Sequence, residues 1–360
     1  MYATIAPDTQ AGGPVRFSIC LAALLLVAVV RPADAQDRGG PTLRVIESNG
    51  IKMRIAEEGR GPLVLLLHGW PESWYSWRHQ LPALAAAGFH AVAPDMRGFG
   101  KTDKPAAVGD YDIQHLTADV VGIIDALGEK TAIVIGHDWG AIVAWGCLLL
   151  HPDRFTALVA MSVPYGGRPP ESIIDTFKKA YGDNFFYILY FQEPEAAEKE
   201  FDADPRGIIS RLYVSPGAPR EAPAVTDPKR AAGGWIPRLG APKALPAWLT
   251  QADLDYVVGE FTAAGFRGGI NYYRNFTRNW ETTPQLAGVK ISQPVLFIAG
   301  EKDNVIRGAN AEQLTGLMKN AVTDLRGVKV LPGAGHWIQQ ERPDESNAAI
   351  LEFLKILPRP

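Results

Sequence analysis

The chain has 360 residues, 47% of them hydrophobic, which is enough to bury a large core in one big domain with an insertion or in two smaller ones. Its formal net charge of -3 is too small to steer a charged macromolecule, and no dense Lys/Arg face interleaved with aromatics is present. Both features argue against a nucleic-acid partner.

At the N-terminus, Arg16 precedes the apolar run Phe17 to Val30, and Ala33-Asp34-Ala35 follows before Gln36. This is the charged, hydrophobic and small-residue order of a secretory signal peptide. The apolar run falls short of the roughly 20 residues of a membrane-spanning helix. Residues 1–35 are therefore expected to be cleaved, leaving a secreted or periplasmic protein with no stable membrane association; an uncleaved anchor is the alternative. Cys20 would leave with the signal, so Cys147 could form no internal disulfide and is expected to be a small buried hydrophobe.

Leu43 to Ile46 and Met53 to Ala56 flank Asn49-Gly50, which supplies the positive backbone angles of a tight turn and predicts an antiparallel hairpin. Leu63 to Leu67, Ala91 to Ala93, Ile133 to Ile135, Leu158 to Ser162, Val295 to Ala299 and Val328 to Leu331 read as short apolar strands, most of them separated by helix-length segments. Strands buried on both faces with helices between them make a mostly parallel sheet of the α/β class. The rhythm stops between Pro164 and Lys290, where Asp202 to Pro246 is rich in Pro and Gly. Only two strands follow, too few for a second core. Residues 164–290 are thus expected to be a mainly helical inserted lid between core segments 36–163 and 291–360, with 202–246 a long lid loop to which no chemistry is assigned.

Gly136-His137-Asp138-Trp139-Gly140 follows the run Thr131 to Ile135 and precedes the apolar helical stretch Ala141 to Leu150. That is the pattern of a nucleophile elbow carrying aspartate where serine is usual. The glycines permit a sharp strand-to-helix turn that holds the central side chain beside the positive end of the helix. A carboxylate needs no base before it attacks, but attack on an acyl carbon would give a very reactive anhydride. Attack on a saturated carbon with a strained or good leaving group gives a manageable ester, so epoxides and alkyl halides fit. Asp303 follows the strand Val295 to Ala299, and His336 follows Val328 to Leu331. The order nucleophile, acid, histidine is that of the α/β-hydrolase arrangement, and both partners lie where strands end and open sheets build their sites. His68-Gly69-Trp70-Pro71 follows Leu63 to Leu67, making the Trp70 and Trp139 backbone N–H groups the candidate oxyanion pair. The remaining histidines, His68, His79, His90, His115, His137 and His151, are read as structural or solvated.

Together, His68 to Arg78 (HGWPESWYSWR), Asp95 to Gly100 (DMRGFG) and the elbow pentapeptide resemble the soluble epoxide hydrolases of the α/β-hydrolase superfamily over roughly Leu43 to the C-terminus. The resemblance extends to the lid, where Tyr187 in Phe186 to Pro194 and Tyr273 in Asn271 to Asn275 match the segments that supply that family's two lid tyrosines. Tyr190 and Tyr272 are near enough to confuse the register. Ile188 departs from the polar residue expected beside the first tyrosine in mammalian relatives, a difference that bears on substrate preference. The resemblance implies hydrolysis of a small-molecule epoxide by water to a vicinal diol, without a cofactor. Opening an epoxide creates an alkoxide, and two phenols can donate to it.

A haloalkane dehalogenase would share the Asp138 nucleophile and use the Trp139 indole for halide, but would not need two phenols. A secreted ligand-binding effector on a hydrolase scaffold is the alternative from another class. Gly100-Lys101-Thr102 lacks the glycine a phosphate-binding loop needs at Asp95, Asn275-Phe276-Thr277 is a glycosylation tripeptide within the proposed lid, and no spacing suits a metal.

Overall fold

The structure, a computed structural model, describes residues 40–358; the expected signal segment 1–35 lies outside them. Asn49 and Gly50 adopt φ of 48° and 76° and close a two-residue turn between β1 (Thr42–Ser48) and β2 (Ile51–Glu58). Ser48 pairs with Ile51, so the hairpin is antiparallel. The other strands are β3 (Leu63–Leu67), β4 (His90–Pro94), β5 (Ala132–His137), β6 (Phe155–Met161), β7 (Val295–Gly300) and β8 (Leu325–Leu331). They form one eight-stranded sheet in the order β1-β2-β4-β3-β5-β6-β7-β8, parallel from β4 through β8.

Alternate side chains of a strand point to opposite faces, so β3 divides between two cores: Leu63, Leu65 and Leu67 pack on one face and Val64 and Leu66 on the other. Helices α1 (Gln80–Ala86), α2 (Ile113–Ala126) and α3 (Trp139–Leu150) accompany the first half of the sheet, and α3 buries Cys147 completely. Between β6 and β7 the chain builds α4 (Ile173–Tyr181), α5 (Tyr187–Tyr190), α6 (Ala196–Ala203), α7 (Pro205–Leu212), α8 (Gln251–Ala264), α9 (Arg267–Arg274) and α10 (Phe276–Thr282). The C-terminal part adds α11 (Ala311–Met318), α12 (Ile338–Glu341) and α13 (Pro343–Lys355). No helix among the described residues is long and apolar enough to cross a membrane.

Three local expectations are corrected. First, 202–246 is not loop throughout: Pro205 starts α7, the Asp204 side chain accepts from the Gly207 N–H, and Ile208 and Ile209 are buried. Proline has no N–H to lose at the first helical position, so the residue that suggested a break begins a helix. Second, β6 starts at Phe155 rather than Leu158 and ends before Ser162, which leaves the ladder with φ 74°. The exposed Thr156 interrupts the apolar run and hides this start. Third, β8 begins at Leu325 because an edge strand tolerates the Arg326-Gly327 interruption.

A polar seam ties α8 to the core. Arg54 pairs with Asp95 at 2.5 Å and with Glu260, Trp74 Nε1 donates to the Tyr256 hydroxyl at 2.9 Å, and the Tyr75 hydroxyl donates to Asp253 at 2.8 Å. The Tyr213 hydroxyl adds a bond to the Pro71 carbonyl at 2.8 Å. These bonds fix the lid against the segment from His68 to Arg78. Asn275 is buried with its Nδ2 donating to the Val108 and Asn271 carbonyls, so it is closed as a glycosylation acceptor.

Candidate active site

Asp138 sits between the end of β5 and the first residue of α3 with φ 51° and ψ -118°, a backbone that residues with side chains seldom adopt. The turn is that tight because a Cβ at Gly140 would lie 1.9 Å from the Leu67 carbonyl oxygen, and one at Gly136 would lie 2.2 Å from that of Gly140. The two carboxylate oxygens of Asp138 are in different surroundings. Oδ1 accepts from the Trp70 N–H at 2.9 Å, whereas Oδ2 lies 3.8 Å from His336 Nε2. Burial pushes the Asp138 carboxyl up, opposed by His336, His137 and the backbone N–H groups of Trp70 and Trp139.

His336 reaches in from the loop after β8, and its Nδ1 is 3.1 Å from Asp303 Oδ1 and 3.2 Å from Ser162 Oγ. Burial works against its protonation, but Asp303, with help from Asp138 and Glu72, pushes it up to about 9. Burial also works against ionising Asp303, yet the neighbouring His336, the Ser162 hydroxyl and the Val305 N–H hold its carboxyl below the usual range. Asp303 and Asp138 both favour the protonated form of the imidazole that lies between them. The Ser162 contact is not legible in the sequence, where the residue reads as the last of the strand Leu158 to Ser162.

Behind the nucleophile, Glu72 is fully buried and accepts from the Gly69 N–H at 2.8 Å and from Gln339 and Gln340 at 2.8 and 3.1 Å. Its Oε2 also lies 2.8 Å from His137 Nδ1, and His137 Nε2 is 2.8 Å from the His336 carbonyl oxygen. One carboxylate thus links the His68–Pro71 turn, the elbow and the loop of the triad histidine. His68 supports the same turn, accepting from the Met96 N–H at 3.0 Å through Nε2. Glu72 stands inside the motif HGWPE, but only the fold reveals its partners.

Tyr187 opens α5 and Tyr273 lies in α9, and both line a cavity of about 590 Å³ together with Asp138, Asp303 and His336. Their rings are 5.9 Å apart at 77°. Tyr187 stacks on Trp235 at 4.8 Å, and Tyr273 packs edge-on against Trp139 at 5.1 Å. Burial and then the charge of Asp138 push both phenols well up, so they stay protonated donors. The neighbouring tyrosines are committed elsewhere: the Tyr190 hydroxyl bonds Glu200 at 3.0 Å, and that of Tyr272 bonds the Arg97 carbonyl at 2.8 Å. Trp235 was hidden in the Pro-rich stretch. Its N–H and that of Ile236 donate to Glu200 at 2.9 Å each, which holds the indole against Tyr187. Among the described residues, no group of three or more His, Cys, Asp or Glu side chains is placed to hold a metal ion.

The family model described as alpha/beta hydrolase fold matches residues 62–343. Epoxide hydrolase A of Mycobacterium tuberculosis is 47% identical over 321 residues, covering 88% of this chain and 98% of its own length. Epoxide hydrolase 2 of Siraitia grosvenorii is 42% identical over 313 residues, covering 86% and 97%. The crystal structure of Epoxide Hydrolase A from Mycobacterium thermoresistibile superposes with a TM-score of 0.81 at 45% identity, over 89% of this chain and 100% of that one. The chain therefore belongs to the epoxide hydrolase family of the α/β-hydrolase superfamily.

Proposed function

We propose that the protein hydrolyses an epoxide to a vicinal diol through a covalent ester on Asp138. The observation that carries this reading is a single cavity in which the Asp138 carboxylate and two protonated phenols, Tyr187 and Tyr273, are brought together. Trp70 holds Oδ1, so Oδ2 attacks one epoxide carbon while the C–O bond to the ring oxygen breaks. A phenol gives that oxygen its proton. Esterification removes the negative charge 3.8 Å from His336 Nε2, so the imidazolium can pass its proton to the phenolate and become a base.

In the second step neutral His336, oriented by Asp303, takes a proton from water as the water oxygen attacks the Asp138 carbonyl carbon. The Trp70 and Trp139 amides hold the developing oxyanion. Collapse breaks the bond between that carbon and Oδ2, and His336 returns the proton to the departing alkoxide. The new carboxyl then ionises, its proton restoring the imidazolium. The sum is epoxide plus water to diol, with no proton gained or lost.

Intact-mass measurement after mixing with styrene oxide tests this scheme. His336→Gln is expected to accumulate an adduct of the epoxide's mass, and Asp138→Asn to form none. A His336→Gln protein that turns over poorly yet carries no adduct would reject the scheme. A dehalogenase would leave the phenols without a task, and halide release from chloroalkanes without diol from epoxides would favour it. We also propose that residues 1–35 direct export, so that the enzyme acts in the periplasm or outside the cell. Mass measurement of the mature N-terminus in the secreted fraction checks that.

A further inference from the structure

The main chain of His336 is held by a carboxylate of its own. Glu341 ends α12, and its N–H donates to the Trp337 carbonyl at 2.7 Å, so this single helical turn folds its side chain back toward the histidine loop. There Oε2 accepts from the Gly335 N–H at 2.9 Å and Oε1 from the Trp337 N–H at 3.0 Å. The amides of the residues on either side of His336 thus converge on the two oxygens of one rigid group, in the way that backbone concavities hold anions. The His336 carbonyl between them is fixed as well, accepting from His137 Nε2 at 2.8 Å and from the Ile338 N–H at 2.9 Å. Space is as tight as the bonding: a Cβ at Gly335 would lie 2.7 Å from Glu341 Oε1 and 2.8 Å from Pro216. Burial pushes the Glu341 carboxyl up, opposed by the two amides and by the charge of His336. Among the described residues, this carboxylate bonds neither Asp138 nor the lid phenols.

We propose that Glu341 is a positioning residue for ester hydrolysis, fixing the backbone of His336 so that its imidazole faces Asp303 through Nδ1 and the Asp138 ester through Nε2. This inference rests on the epoxide hydrolase reading and adds a residue to its second step. The ring has two demands to meet at once, since Nδ1 lies 3.1 Å from Asp303 and Nε2 lies 3.8 Å from Asp138 Oδ2. The attacking water must meet Nε2 and the ester carbonyl together, so a small turn of the histidine peptide breaks the line from base to water to carbon. A misplacement on the order of 1 Å can slow such a step about a hundredfold. Ring opening makes no such demand on the imidazole. It uses Asp138, held by the Trp70 N–H, and the phenols delivered by α5 and α9, none of which Glu341 holds. Loss of Glu341 is therefore a defect of the second step.

Single-turnover kinetics with styrene oxide on the full-length protein, with the ester followed by intact mass, test the proposal. In Glu341→Ala the ratio of the rate of adduct hydrolysis to that of adduct formation is expected to fall at least about tenfold from the native ratio. Ester that the native enzyme clears then accumulates, while its formation proceeds at close to the native rate. A general loosening of the fold would not divide the two steps in this way. A ratio that stays nearer the native one, whether because both rates fall together or because neither does, overturns the positioning role while the epoxide hydrolase reading stands. A native protein that gives neither adduct nor diol removes both. Should Glu341→Ala fail to fold, Glu341→Gln decides by the same ratio, because it keeps the volume and one acceptor oxygen but sets an amide NH2 against the other backbone N–H.

Discussion

Replacing Asp138 by Asn removes one negative charge with almost no change of shape, and so imitates what esterification does to the triad. His336 Nε2 lies 3.8 Å from Asp138 Oδ2, and that charge is one of the influences that push His336 up to about 9. At an effective dielectric of about 20, two unit charges so placed attract by about 4 kcal/mol. The cavity admits solvent, so we discount this to about 2 kcal/mol, which is roughly thirtyfold in proton affinity. NMR titration of isotopically labelled histidines reads it directly, with the His336 signal assigned by its disappearance in His336→Gln. The native protein should titrate at about 9 and Asp138→Asn at clearly lower pH. Identical midpoints would mean that the two groups are uncoupled. The ester could not then convert the imidazolium to a base, and the second step would need another proton acceptor.

Tyr187→Phe and Tyr273→Phe should each slow formation of the covalent adduct about tenfold in stopped-flow measurements, and the double change by more than about a hundredfold; adduct formation at the native rate in the double variant would remove the phenols from the mechanism. Glu72→Ala strips the buried partner from His137 and should cost about 3 kcal/mol by chemical denaturation, whereas a loss below about 1 kcal/mol would show that the Glu72 network is not a structural tie. Stability should also depend on pH through the triad. His336 is raised from its ordinary 6.5 to about 9, so its contribution is full below 6.5 and lost as pH rises through about 9. Asp303 is lowered from 3.8, so its contribution is present above 3.8 and lost as pH falls through its folded value. Denaturation midpoints of the native protein should therefore decline between pH 6.5 and 9 relative to His336→Gln, and parallel profiles would contradict the charged triad.

Residues whose task is local were the most legible. The turn at Asn49-Gly50, the all-apolar β3 and the two glycines of the elbow each constrain their own backbone, so composition and spacing suffice to place them. Asp138, Asp303 and His336 were found by order and by position after strands, since a parallel sheet delivers all its strand ends to one edge. Contacts made by folding distant segments together were not legible. Ser162 meets His336 from 174 positions away, and Glu72 meets Gln339 from 267. Trp235 carries no local pattern at all; it matters because Glu200 holds its backbone beside Tyr187. The motif DMRGFG marked the family without marking the chemistry. Asp95 pairs with Arg54 and accepts from the Trp74 N–H, while Arg97 pairs with the buried Asp119, so both are scaffold.

An aspartate nucleophile changes what an oxyanion hole does. In a serine enzyme the amides wait for an oxygen that the substrate brings, whereas here Trp70 already bonds Oδ1 of the enzyme's own carboxylate. That oxygen carries about half a charge in the resting carboxylate, little in the ester and nearly a full charge in the tetrahedral intermediate. Only interactions that strengthen on the way to a transition state accelerate a step. The amides therefore restrain the first step slightly, by favouring the carboxylate that must be consumed, and accelerate the second. Ring opening then depends on donors at the other end of the breaking bond. That is the physical reason for two phenols, Tyr187 and Tyr273, in the same cavity as Asp138, and why removing them should affect adduct formation while leaving the chemistry of ester hydrolysis to Trp70, Trp139 and His336.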